Sequence, residues 1–226
     1  MRQGMGELVE LVLEEGLAGG RVLCPEAMVP APGQYLLAHE PESPELLPLP
    51  LFNAALIPGG FMAAPPVPGT WRPGTRLSLR GPLGRGFKLP PAARRVALAA
   101  LGPSCARLMP VLQGALDQGA AVVLVGEPPR MELPHEVEVQ PVAALSEVAA
   151  WAEYLAVDLP CDRIQDLPGL LGNGDHRGIA QEAQVLVAVV MPCGGLAECG
   201  ACAVPARRGS KLACVDGPVF ELSELL

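Results

Sequence analysis

Apolar and polar residues alternate in short runs over the first third of the chain: "LVELVLEE", "GRVLCPEAM", "GQYLLAHEP", "NAALIP" and "RLSLRGP", each cut off by glycine or proline. Short runs at this spacing predict antiparallel strands arranged as a barrel or sandwich. Prolines crowd the stretch from Pro41 to Pro73. Each one removes a backbone donor, so this stretch is expected as a long loop with edge strands.

The pattern changes after "KLPPAARR". "RVALAAL" (95–101) reads as a buried strand, and "CARLMPVLQGALDQG" as an amphipathic helix ending at Gly119, with Pro110 marking a kink or a late start. "AAVVLVGE" (120–127) has the β-branched, wholly apolar character of a strand buried on both faces. A short strand "VEVQPV", a helix "ALSEVAAWAEYLAV" with Ser146 near its start, and a buried strand "AQVLVAVVM" (183–191) follow. The order strand, helix, strand, strand, helix, strand predicts an α/β unit built on a parallel sheet. The chain therefore divides into a β-barrel (1–88), an α/β domain (89–190) and a terminal segment (191–226).

Composition narrows the function. Half of the 226 residues are hydrophobic, enough for a substantial core, and the net charge of −8 argues against a nucleic-acid partner. Acidic residues interrupt the first apolar run, which therefore does not read as a signal peptide, and no uninterrupted apolar stretch is long enough to cross a bilayer. The expectation is a cytoplasmic, reduced protein whose clustered cysteines are ligands rather than disulfides.

Four of seven cysteines stand close together, as Cys193-x5-Cys199-x2-Cys202-x11-Cys214. Three thiolates in a tight loop with one remote partner suit a [2Fe-2S] cluster, and the plant-type spacing differs by one residue in the first gap. The glycine-rich "GGLAE" can absorb that residue and lets backbone N–H groups turn toward sulfur. An all-cysteine structural zinc site is the alternative, although zinc ribbons usually pair two C-x2-C units and only one is present. Cys24, Cys105 and Cys161 lie apart and read as small buried hydrophobes, and His39, His135 and His176 have no ligand spacing.

"MPCGGLAECGACAV" and "KLACVDGPVF", with "RGPLGRGF" (80–87) and "PGQYLL" (32–37), resemble the electron-transfer subunit of class B dihydroorotate dehydrogenase. The resemblance implies a ferredoxin-reductase-like fold: an FAD-binding barrel, a nicotinamide-nucleotide-binding α/β domain and a C-terminal [2Fe-2S] loop. It implies cluster ligation by Cys193, Cys199, Cys202 and Cys214, and FAD contacts at Gly81, Gly84 and Gly86. It also implies a hetero-oligomer with a flavin-containing dehydrogenase catalytic subunit acting in pyrimidine biosynthesis.

Two departures qualify this. Where the family has Arg-Pro-x-Ser to grip the flavin nucleotide, the chain reads "LPLF", with Leu49 in place of the arginine and Phe52 in place of the serine. An arginine fork is what binds pyrophosphate, and leucine has none. After the first α/β strand the family's glycine-rich turn is replaced by "ALGPSCARL", where Ser104 reads as a cap for the following helix. NADH binding is thus not expected. FAD stays open through Arg72, Arg76, Arg80 and Arg85, which read otherwise as a solvated strand face. Arg207, Arg208 and Lys211 read as a basic turn, and Trp151 and Tyr154 as neighbours on one helix face. The leading expectation is an electron-transfer subunit rather than a stand-alone enzyme. The alternative is a non-catalytic accessory protein that kept the fold and holds a structural metal.

Overall fold

Six strands close on themselves in the computed structural model, which describes residues 2–14, 17–43, 47–127, 132–172, 180–193 and 195–226. They are β1 (Arg2–Glu14), β2 (Leu17–Leu23), β3 (Tyr35–His39), β4 (Leu49–Ile57), β5 (Gly60–Ala63) and β6 (Thr75–Leu83). Their order round the barrel is β1-β2-β5-β4-β3-β6, and every neighbour is antiparallel. Alternation aims Leu77 and Leu79 of β6 into the barrel, where they meet Leu8, Val22, Leu51, Phe61 and Trp71. Each such side chain contributes about 1.5–3 kcal/mol by leaving water. Arg76 and Arg80 share the outer face of the same strand, as its period of two requires.

The proline-rich stretch departs from expectation. It holds no edge strand, because β4 lies between β3 and β5 in a closed barrel. Of the described prolines from 41 to 73, only Pro50 falls inside a strand, opposite Leu37. The lost donor there is outweighed by burial of Leu51 and Phe52 beside it.

The second layer comprises β7 (Arg95–Ala100), α1 (Met109–Asp117), β8 (Ala121–Val125), β9 (Val137–Gln140), α2 (Leu145–Trp151), β10 (Tyr154–Pro160), α3 (Leu167–Leu170) and β11 (Glu182–Ala188). Strands β7, β8, β9, β10 and β11 run parallel to one another. Pro110 sits in the first turn of α1, so it marks a late start and not a kink. Ser104 is not the cap of α1: its hydroxyl accepts from the Ala106 N–H at 3.1 Å, just before a short 3-10 turn whose N-cap is Cys105.

The expected helix "ALSEVAAWAEYLAV" is two elements. α2 stops at Trp151, Ala152 is extended, and "YLAVDLP" becomes β10, which lies between β7 and β11. Alanine, leucine and valine fit either structure locally. Burial on both faces decides for strand. Trp151 and Tyr154 therefore stand on different elements, and the buried Tyr154 hydroxyl donates to Gln184 at 2.9 Å. His176 lies outside the described residues.

The chain continues as β12 (Ala203–Pro205), β13 (Ser210–Leu212), α4 (Ala213–Asp216), β14 (Val219–Glu221) and α5 (Leu222–Leu225). β12 and β13 form a hairpin, and β14 adds antiparallel to β11, giving the sheet order β14-β11-β10-β7-β8-β9. The same segment reaches the barrel, where the Arg85 N–H donates to the Gly217 carbonyl at 2.6 Å. One apolar core runs from Tyr35 and Phe52 of the barrel through Leu101 and Val157 of the sheet to Cys202 and Cys214.

Candidate metal centre

The loop after β11 carries three of the clustered cysteines, and α4 carries the fourth. Cys202 and Cys214 are buried and their sulfurs lie 3.3 Å apart. Two local contacts set this pair: the Ala213 N–H donates to the Cys202 carbonyl at 3.0 Å, and the Leu212 N–H to the Asp216 carboxylate at 2.9 Å. Cys193 is half-buried and Cys199 exposed. Cys193 and Cys199 influence each other's thiols as an outer pair, beside the inner pair of Cys202 and Cys214.

The loop between the first two cysteines is wound to aim backbone donors at them. Gly195, Ala197 and Gly200 all take positive φ, at 79°, 62° and 67°. Alternating left-handed residues turn successive N–H groups into one concavity that suits an anion. The backbone N–H groups of Leu196, Glu198 and Cys199 favour the thiolate of Cys193, and that of Ala197 favours the thiolate of Cys214. The Cys199 contact, reinforced by these amides, holds the Cys193 thiol down to about 6. Burial pushes Cys214 up to about 12, and Cys202 adds to the push.

This donor set suits a dinuclear cluster, in which each iron takes two terminal thiolates and the sulfurs accept amide hydrogen bonds. Among the described residues, no three Cys, His, Asp or Glu side chains are gathered closely enough to hold a metal ion, so the structure brings the four cysteines together as two pairs and not as one closed ligand set. Cys105 is buried, Cys24 and Cys161 are half-buried, and none of the three joins the group. His135 lies beside Glu136 on the surface.

The three glycines of the barrel-end loop are enclosed by protein. A Cβ on Gly84 would meet Pro218 at 2.5 Å and the Tyr35 ring at 2.9 Å; one on Gly86 would meet the Pro32 carbonyl at 2.5 Å; one on Gly81 would meet Leu36 at 2.8 Å. They let the barrel end close on β3 and on the cysteine segment. Leu49 packs against the barrel core. Phe52 lies with its ring centre 5.8 Å from that of Tyr35 and 5.6 Å beneath the Arg107 guanidinium. Arg107 in turn holds the fully buried Asp158 through hydrogen bonds of 2.8 and 2.9 Å. Burial pushes the Asp158 carboxyl above its ordinary range, and the arginine pulls it back.

Tyr35 completes the surroundings. Its hydroxyl is buried without a hydrogen-bond partner among the described residues, and a Cβ on Gly195 would come within 3.5 Å of it. Burial first, and then the thiols of Cys214 and Cys202, keep this hydroxyl protonated. The pairing of the thiols, the left-handed Ala197 and the Phe52–Arg107–Asp158 stack have no signature in the sequence. The glycines of "GGLAECG" were the one available hint of the loop's winding. Of the basic turn, Lys211 pairs with Glu224 and the Arg207 N–H donates to the Glu224 carbonyl at 2.9 Å.

A closed antiparallel barrel joined to a parallel α/β sheet is the ferredoxin-reductase-like fold. Solved structures share it: the chain aligns with the NADH-dependent reduced ferredoxin-NADP oxidoreductase of an electron-bifurcation study at TM-score 0.72 and 20% identity, over 98% of this chain and 89% of that one. It aligns with a ferredoxin NADP+ reductase from Neisseria gonorrhoeae, determined with bound FAD and NADP, at TM-score 0.58 and 12% identity, over 83% and 98%. A ferredoxin reductase of carbazole 1,9a-dioxygenase aligns at 0.57 and 20%, over 80% and 65%. By sequence the chain matches no curated protein. Residues 190–226 match the iron-sulfur cluster binding domain of dihydroorotate dehydrogenase B. The match spans all four clustered cysteines.

Proposed function

We propose that the chain is an electron-transfer subunit that relays single electrons through a [2Fe-2S] cluster to or from a flavin-bearing dehydrogenase, with dihydroorotate dehydrogenase of pyrimidine biosynthesis as the partner. The observation that supports it best is the buried pair of Cys202 and Cys214, with sulfurs 3.3 Å apart, in a segment that matches the iron-sulfur cluster binding domain and also holds Cys193 and Cys199. Cys193 and Cys199 would hold the outer iron, and Cys202 and Cys214 the inner one. A cluster bound there supplies one-electron transfer without acid–base chemistry from side chains.

The chain's own residues do three things in this reading. The loop amides donate to sulfur and so favour the more negative, reduced state. The core around Cys202 and Cys214 excludes water. Leu196 and Val215, 56% and 52% exposed beside the cysteines, offer an apolar rim on which a partner can close. Among the described residues, no helix is long and apolar enough to cross a membrane.

The residues fit FAD less well. Leu49 and Phe52 supply no fork or hydroxyl, the barrel-end glycines are covered by protein, and the Phe52–Arg107 stack packs barrel against sheet. The proposed relay on this chain therefore runs through the cluster, with flavin supplied by the partner. Iron, acid-labile sulfide, zinc and released flavin measured on one anaerobic sample test this. Two irons and two sulfides per chain without flavin are expected. Zinc without sulfide overturns the relay, and stoichiometric FAD adds a second redox group to it.

A further inference from the structure

Tyr35 is the first residue of β3, fully buried, with its ring wedged between Phe52 and the close backbone of Gly84. That packing leaves the phenol no freedom to swing toward solvent. Its hydroxyl points at the cysteine loop, close to Gly195, and has no hydrogen-bond partner among the described residues. Folded proteins satisfy nearly all buried polar groups, so an orphan held in place beside a candidate centre calls for an acceptor. The acceptors that the centre supplies are sulfurs.

We propose that Tyr35 tunes the cluster, donating its O–H to one of the cluster's sulfurs, a sulfide or a cysteine thiolate. This rests on the reading that Cys193, Cys199, Cys202 and Cys214 hold a [2Fe-2S] cluster. Reduction adds one electron, drawn from the partner's flavin, and no proton moves. The extra negative charge spreads over the sulfurs, and a fixed donor stabilises it more than it stabilises the oxidised state. Tyr35 thereby raises the reduction potential.

The test is Tyr35→Phe, which keeps the ring and removes the donor. Iron and sulfide content should match the parent chain, while an electron-paramagnetic-resonance redox titration should show the reduction equilibrium weakened about tenfold, a fall of about 59 mV for one electron. An unchanged potential at full cluster content overturns the proposal. If the variant does not fold, uniform 3-fluorotyrosine decides. The chain has only two tyrosines, and the other, Tyr154, is occupied with Gln184. The more acidic fluorophenol should raise the potential, and no change again overturns the proposal. A parent chain that carries no iron and sulfide overturns the underlying cluster reading, and this proposal with it.

Discussion

Arg107 grips Asp158 with both ends of its guanidinium, at 2.8 and 2.9 Å, while its flat face covers Phe52. The pair crosses from the segment after β7 to the middle of the sheet, so one arginine ties β10 to β4 of the barrel. Removing only the cation leaves a carboxylate that is fully buried with nothing to answer it. Arg107→Met should cost about 3–5 kcal/mol of unfolding free energy in urea, and Arg107→Met with Asp158→Leu should recover most of the loss. If the single variant costs no more than the double one, the pair does not have this role.

Gly84 is where the barrel, Tyr35 and the cysteine segment touch. Its φ of +77° and the 2.5 Å approach to Pro218 both exclude a side chain. Gly84→Ala should destabilise the chain by about 1–3 kcal/mol and lower its iron content, since the segment can no longer seat on the barrel. Gly74 gives the control: its φ is +93°, but nothing lies within 4 Å. Gly74→Ala should show only the backbone cost, about 1 kcal/mol, with full iron content.

Phe220 is 1% exposed on β14 and lies against Gly217. Phe220→Ala should cost about 3–5 kcal/mol, because the cavity opens at the junction of β11, β14 and α4 where little can collapse into it. Urea midpoints of the two chains measure this directly.

The Arg94 N–H donates to Glu153 at 2.7 Å, and Arg95 lies 3.2 Å away, which together hold the Glu153 carboxyl below its ordinary value of 4.5. A depressed carboxyl stabilises the fold above the unfolded value and loses that contribution as pH falls through the folded one. The difference in urea midpoint between the parent and Glu153→Gln should therefore be constant above about pH 6 and shrink as pH drops below 4.5. A difference that persists at low pH would assign the effect to something other than charge.

The cysteine spacing made the centre legible because three of its members are neighbours in the chain, and the apolar runs made the two layers legible because strand burial follows local pattern. Non-local features stayed hidden. "WAEYLAV" reads equally as helix or strand, and only its position between β7 and β11 decides. Pro50 looked like a barrier to pairing, yet closure of the barrel overrode it. Arg107 and Asp158 lie far apart in the chain, so no spacing rule joins them, and Tyr35 gained its place beside the centre from the packing of Gly84 and Gly195.

Because β14 completes the sheet beside β11 and Gly217 bonds to Arg85 of the barrel, the cysteine segment is anchored on one side by the strand that leads into it and on the other by a barrel residue far from it in sequence. Such a segment is not a portable cartridge. Grafted onto another scaffold it would bring its four thiols but leave behind the sheet edge and the barrel rim that clamp them. A host for it would have to supply a free strand and a glycine in the place of Gly84.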